Sequence, residues 1–197
     1  MLAVTVVPAL ILASASPYRR DLLARFALPF ETLAPQVSEA HLSGESPADR
    51  ALRLALEKAQ AVARRRPGAV VVGSDQVAAA GDEVLDKPGD AARARAQLHS
   101  LSGRSARFYT ACAVLGGEGV HLAHVDTTTV LFRTLAAEEI ERYVAREQPD
   151  DCAGSFKAEA LGISLCECIE SQDPTALIGL PLIWLAGALR GAGFRVP

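Results

Sequence analysis

The chain has 197 residues, half of them hydrophobic and 22% charged, with a formal net charge of −3. That composition is ordinary for a globular protein and contains no apolar stretch long enough to cross a bilayer. The charge argues against DNA or another polyanion as main partner, while leaving room for a small anion in one basic pocket. Pro8 and the Ser14–Ser16 turn bound a short apolar run, Ala9–Ala13. Ala13 and Ala15 imitate a signal-peptide cleavage site, but such a signal needs positive charge before its apolar core, and here the arginines follow it. The run is therefore expected to be a buried strand, with no targeting segment and a cytoplasmic location. Ser16 suits an N-cap and Pro17 a first helical position, so a helix follows, with LLARFAL at helical spacing as far as Pro29. FETLA reads as a strand and APQVSEAHLSGE as a polar loop.

Ser46-Pro47 repeats the cap-plus-proline start, and a helix is expected to about Arg66 with Leu52, Ala55, Leu56, Ala59 and Val62 as its apolar stripe. AVVVGSD is β-branched and ends in polar residues, as a buried strand delivering Ser74 and Asp75 at its carboxyl end. Gly81-Asp82 reads as a hairpin turn. Asp90 caps a helix to about Ser100. ARFYTACAVL and GVHLAHVDTTTVLFR read as a hairpin turning at Gly116-Gly117, and AAEEIERYVARE as an amphipathic helix. GSFKAEALG is irregular, ISLCECI a strand, and Pro181 to Arg190 a final helix. Alternating helices and strands with one long hairpin predict an α/β chain built on a mixed, elongated sheet. Cys112, Cys152, Cys166 and Cys168 fit no common zinc spacing and read as free thiols in a reducing compartment.

Ser14, Ser16, Arg19 and Arg20 gather hydroxyls, guanidinium groups and the free N–H groups of a helix start, a combination that holds phosphate well. There is no Walker sequence. By spacing alone, a capped helix with solvated arginines is equally supported. Asp75 at a strand end suits a general base or metal ligand. An ordinary aspartate is a weak base near neutral pH unless a divalent cation acidifies the water beside it, and a turn-forming aspartate is the plainer reading. Lys58 falls off the main helical stripe and reads as solvated. Lys87, before Pro88, is held extended and can reach an anion. Glu39 could join Asp75 on a cation. The histidines form no HExxH sequence.

Together LILASASPYRRDLL, LALEKA, VVGSDQV, DKPGD, FYTACAV and CAGSFKAEALG resemble, in order and over nearly the whole chain, the Maf family of nucleoside triphosphate pyrophosphatases. The resemblance implies one domain over residues 1–197, of two lobes with a deep cleft, like inosine triphosphate pyrophosphatases. It implies hydrolysis of a nucleoside triphosphate to monophosphate and pyrophosphate with a divalent cation, Mg or Mn. It makes Asp75 the catalytic aspartate. Ser14, Ser16, Arg19, Lys58 and Lys87 become phosphate-binding residues, and Glu39 with Asp75 the metal ligands. The family often has Asp-Glu where this chain has Ser38-Glu39. Within the family, GSDQV and CAGSFKAE resemble the branch acting on 7-methyl-GTP, with Tyr18, Gln76 and Glu159 as base-specificity residues. That branch often has tryptophan where Tyr18 stands. A stacked aromatic suits a cationic 7-methylguanine, and Glu159 can accept from its N1–H and 2-amino groups. The alternatives are the dTTP/UTP branch and a nucleotide-binding regulator of septum formation. The expected partner is a small-molecule nucleotide, not a nucleic-acid polymer or a membrane, with room for a homodimer.

Overall fold

A computed structural model describes residues 8–116 and 119–197. Its elements in order are β1 (Leu10–Ala13), α1 (Pro17–Ala24), β2 (Glu31–Thr32), α2 (Pro47–Ala63), β3 (Val70–Ala80), β4 (Glu83–Leu85), α3 (Ala91–Leu101), β5 (Ser105–Leu115), β6 (His121–Phe132), α4 (Ala137–Glu147), β7 (Cys166–Glu170) and α5 (Leu182–Gly191). They form the expected α/β architecture. A single mixed sheet runs β2-β1-β3-β5-β6-β7, with β4 paired to β3. β1 is parallel to β2 and β3, and the remaining pairs are antiparallel. The Leu10–Ala13 run is fully buried between two strands, which settles its role as a strand of the sheet.

Helices cover both faces. α2 lies on one face, where its alanines pack with Val71, Val77, Ala111 and Ala113. The other face is covered twice. Near β1, Val70, Val72, Cys112 and Val114 pack with α1 and α5. Further along, Ala78, Ala80, Phe108, Val130 and Phe132 pack with α3 and α4. Between these two cores the same face of the sheet carries a polar row, Gln76↔Thr110↔Asp126, flanked by Ser74 and Thr128. Ser74, Thr110, Asp126 and Thr128 are buried. The row is bonded to the 171–179 segment: Ser74 Oγ donates to the Gly179 carbonyl at 2.9 Å, Thr110 Oγ1 to Ala176 at 2.9 Å, and Thr128 Oγ1 lies 2.9 Å from Ser171 Oγ. Buried polar groups are tolerated because they find such partners.

The boundaries correct several expectations. α1 stops at Ala24, and Ala27 takes a left-handed conformation (φ 52°) well before Pro29. α2 ends at Ala63, and its buried stripe is Ala51, Leu54, Ala55, Lys58, Ala59 and Val62, with Leu52 and Leu56 only half buried. The small residues win the close face because α2 crosses β3 at Gly73. A Cβ there would lie 2.3 Å from the Ala55 carbonyl oxygen and 2.8 Å from Ala59 Cβ. β3 does not end at Asp75 but continues to Ala80 and turns back through Gly81-Asp82 into β4. Gly81 has φ 63°, as that two-residue turn requires. Residues Leu161–Leu165 form a 3-10 turn, so the last strand begins at Cys166 and not at Ile163. β5 and β6 form the long hairpin. Gly117, half of its expected turn, lies outside the described residues. Asp90 caps α3 by accepting from the Arg93 N–H at 2.8 Å. All four cysteines are free.

Candidate active site

The site opens where β3 loses a neighbour. β1 pairs with β3 only as far as Ala13↔Gly73, and β4 begins at Ala78↔Leu85. Between them, among the described residues, Ser74–Val77 have a strand partner only on the β5 side. Successive strand residues face opposite ways. Asp75 therefore points toward α2, and Ser74 and Gln76 toward the polar row on the other face. A cavity of about 320 Å³ occupies this gap and joins a second basin, of about 340 Å³, along the Ala13–Arg19 turn. Together they are lined by Ser14, Ser16, Tyr18, Arg19, Glu39, Lys58, Asp75, Gln76, Lys87 and Glu159. All ten residues to which the family resemblance gives a role thus meet in one place. Arg20 does not: it is exposed and pairs with its neighbour Asp21.

On the α2 side, Lys58 is buried, not solvated as its stripe position had suggested. Its Nζ lies 2.6 Å from Asp75 Oδ1 and 2.6 Å from Glu39 Oε1. Burial by itself pushes the Glu39 carboxyl up. The hydrogen bond from Lys58 and the charges of Lys58, Lys87 and Arg19 outweigh it, and the carboxyl ends below its usual range. Arg19 is oriented by its Nε, which donates to the Gly179 carbonyl at 3.1 Å, the same oxygen that Ser74 uses. Ser14 is buried, and its Oγ accepts from the Ser16 N–H at 3.1 Å. Ser16 Oγ caps α1 through the Arg19 N–H at 3.4 Å. Lys87 is exposed at the rim.

On the opposite side, the Gln76 amide nitrogen donates to Thr110 Oγ1 at 2.9 Å and to the Ala176 and Leu177 carbonyls at 3.2 and 2.9 Å. Two carbonyl oxygens can only accept, so they fix the orientation of the amide. Gln76 is left with Oε1 as the group it can offer a ligand. Tyr18, Phe156, Cys152 and Glu159 also line this part. Burial, with the nearby Cys152 and Asp151, pushes the Tyr18 phenol up against the opposing effect of Lys157. The Cys152 thiol is pushed up to about 12, chiefly by burial and then by Asp151, so it is a lining group and not a thiolate nucleophile near neutral pH.

Glu39 and Asp75 present two hard oxygen donors that converge on one cation, the Lys58 ammonium. That donor set fits Mg or Mn, which commonly take one or two carboxylates and complete their shell with phosphate oxygens and water. No cluster of three or more His, Cys, Asp or Glu side chains placed to hold a metal occurs among the described residues. The chain itself would thus supply these two ligands. Sequence reasoning overlooked Arg50, Asp86, Asp151 and Cys152 in the lining. Arg50 had a readable signal, since it lies four and eight residues before Leu54 and Lys58 and so shares their helical stripe.

Residues 9–192 match the family model described as Maf-like protein. A 7-methyl-GTP pyrophosphatase of Xanthomonas oryzae pv. oryzae is 57% identical over 190 residues, covering 96% of this chain and 100% of that one. A 7-methyl-GTP pyrophosphatase of Bordetella avium is 53% identical over 186 residues, 94% of each chain. Among solved structures, a nucleoside-triphosphatase (dITP/XTP pyrophosphatase) of Mycobacterium abscessus aligns at 24% identity and a TM-score of 0.44, covering 64% of this chain and 75% of that one. The family match and these relatives extend over the elements that build the cavity, and the chain belongs to the Maf-like protein family.

Proposed function

We propose that this protein hydrolyses 7-methyl-GTP to 7-methyl-GMP and pyrophosphate in the cytoplasm, removing a modified nucleotide from the pool. The observation that carries the reading is the division of one cavity by the two faces of β3. Lys58 and Glu39 meet Asp75 on the α2 side, Gln76 lies on the opposite face, and Arg19, Tyr18 and Glu159 complete the lining of the same cavity. The names of the relatives supply the substrate. The chain acts as one domain of two lobes, the two cores on either side of the polar row, with the nucleotide between them.

The polyphosphate lies along Ser14, Ser16, Arg19, Lys58 and Lys87, whose charges and hydroxyls offset its own. Asp75 accepts a proton from a water as the water oxygen attacks the α-phosphorus. The bond from that phosphorus to the bridging oxygen breaks, and pyrophosphate leaves. Lys58 holds the Glu39 carboxyl low and positions both Asp75 and Glu39 before the nucleotide arrives. A divalent cation held by Glu39 and Asp75 would supply charge neutralisation at the phosphates and a more acidic water. On the other face, Gln76 Oε1 and the Glu159 carboxylate offer only acceptors. The guanine edge, with its N1–H and 2-amino group, matches such a set. The Watson–Crick edge of uracil or thymine, one donor between two acceptors, does not. Tyr18 offers its ring to the cationic 7-methylguanine.

The test is pyrophosphate release from a panel of canonical and methylated nucleoside triphosphates, with Mg and with Mn, by the wild-type protein and by Asp75→Asn. The expected result is the highest kcat/KM on 7-methyl-GTP and a loss of at least about 100-fold in Asp75→Asn with nucleotide still bound. A preference for dTTP or UTP would refute the base assignment. Tight nucleotide binding without pyrophosphate release would refute the enzyme reading, and full activity in Asp75→Asn would refute the role of Asp75.

A further inference from the structure

Arg50 occupies the first turns of α2, on the stripe that also presents Leu54 and Lys58 to the cavity. Its side chain is 11% exposed. Its Nη2 donates to the Glu39 carbonyl at 3.2 Å and its Nη1 to Asp86 Oδ1 at 3.3 Å. Nε is closed off from solvent without a partner. The other oxygen of Asp86 lies 3.4 Å from His41 Nε2, and the Asp86 carbonyl accepts from Gln97 Nε2 at 2.8 Å. One guanidinium thus joins two loops that His41 also links through Asp86. The first carries Glu39, whose carboxylate is held by Lys58 from the same helix. The second carries Lys87, the residue next to Asp86.

We propose that Arg50 is a positioning residue of the nucleotide site: by holding the Glu39 main chain and Asp86 at once, it sets the spacing between the Glu39 carboxylate and the Lys87 ammonium across which the polyphosphate must fit. The inference rests on reading the cavity as a nucleoside triphosphate site. The chemistry favours arginine for the task. Its planar fork reaches two acceptors in fixed directions, where a lysine ammonium on a flexible stem is a point charge. A buried donor without a partner is costly, and a residue kept only to stabilise an exposed ion pair would not need to be buried. The contact that His41 adds to Asp86 closes the same junction from the Glu39 loop.

The experiment compares wild type, Arg50→Met, Arg50→Lys, Asp86→Asn and the Arg50→Met/Asp86→Asn double variant. It measures kcat, KM and thermal midpoint on whichever triphosphate the wild type cleaves fastest, so the outcome does not depend on the base assignment. The expected result is a KM raised about tenfold in Arg50→Met and less in Asp86→Asn. The double variant should be no worse than Arg50→Met alone, because the two act through one junction. Arg50→Lys should recover only part of the loss, having one contact to give where two are needed. Midpoints should stay within a few degrees of wild type. Should Arg50→Met fail to fold, Asp86→Asn, a change at an exposed side chain, carries the test. Unchanged KM in these variants, losses that multiply independently, or complete recovery by lysine each overturn the inference. If the wild type releases no pyrophosphate, the proposed function fails separately, and Kd for a methylene-bridged triphosphate replaces KM with the same criteria.

Discussion

Replacing Lys58 by methionine tests the centre of the site. The ammonium is 2.6 Å from an oxygen of Glu39 and 2.6 Å from an oxygen of Asp75, so those two oxygens are no further than about 5 Å apart. Without the ammonium, two carboxylates face each other across that distance. Two unit charges at ~5 Å repel by roughly 3 kcal/mol at an effective dielectric of 20, and by less than about 1 kcal/mol in bulk water. The Asp75 side chain is 10% exposed but that of Glu39 is 55% exposed, so water screens the pair. A value of about 1–2 kcal/mol is then reasonable. Lys58 contributes to holding the Glu39 carboxyl low, so its loss lets that carboxyl rise. The acid limb of the pH–rate profile should move upward. Loss of the charge proposed to bind phosphate should in addition lower kcat/KM by about 100-fold or more across the profile. The assay is pyrophosphate release between pH 4.5 and 9 at a fixed, subsaturating metal concentration, so that kcat/KM reports the metal-free carboxylates, alongside a melting curve to show that the variant is folded. An acid limb that stays in place, together with kcat/KM within threefold of wild type, would show that Lys58 neither couples the carboxylates nor binds the substrate.

Three further outcomes follow from the same geometry. Tyr18→Trp should lower KM for 7-methyl-GTP by a few-fold and alter KM for GTP less, since a larger ring face favours a cationic base; equal changes for both would remove Tyr18 from base recognition. Gly73→Ala should cost about 1–3 kcal/mol in a urea melt and depress activity, because its Cβ would meet the Ala55 carbonyl oxygen at 2.3 Å and drive α2, with Lys58, away from Asp75. Asp126 is buried with Oδ1 unpartnered, and burial and then the nearby Asp173 push its carboxyl up. Its folded state therefore binds the proton more tightly than the unfolded chain, and this contribution to stability is full below the unfolded value of about 3.9 and lost as pH rises through the folded one. Asp126→Asn should accordingly raise stability at pH 7 by about 1 kcal/mol, with the gain shrinking toward pH 3. A gain that is constant with pH in thermal melts would refute the account.

The local signals were readable where chemistry acts over a few residues. Ser16-Pro17, Ser46-Pro47 and Asp90 announced three helix starts, and each cap forms. Gly81-Asp82 announced a turn that the β3–β4 register bears out. The errors came where an element meets another distant in sequence. Leu52 and Leu56 outweigh alanine in any hydrophobicity pattern, yet α2 presents Ala51, Ala55 and Ala59 to the sheet, because β3 carries Gly73 at the crossing and only small side chains fit so close an approach. Lys58 was carried to the interior by that same rotation, and two carboxylates from elsewhere in the chain receive it. Asp75 looked like a strand end because polar residues interrupt the apolar run; the strand in fact continues, and what ends there is its neighbour β1.

By itself the sequence determined the order of helices and strands, the serine turn that caps α1, and, through ordered motifs, the set of residues that line one cavity. It could do so because capping, turns and alternation are set by neighbours along the chain. Only the tertiary structure decided that β1 stops and β4 starts on either side of Ser74–Val77, dividing the cavity between the two faces of β3, and that the Lys58 ammonium joins Glu39 to Asp75. It also decided that Arg50, whose helical position alone named no partner, holds two loops at the rim. These depend on distances between residues far apart in sequence, which are set by how closely α2 can pack on β3.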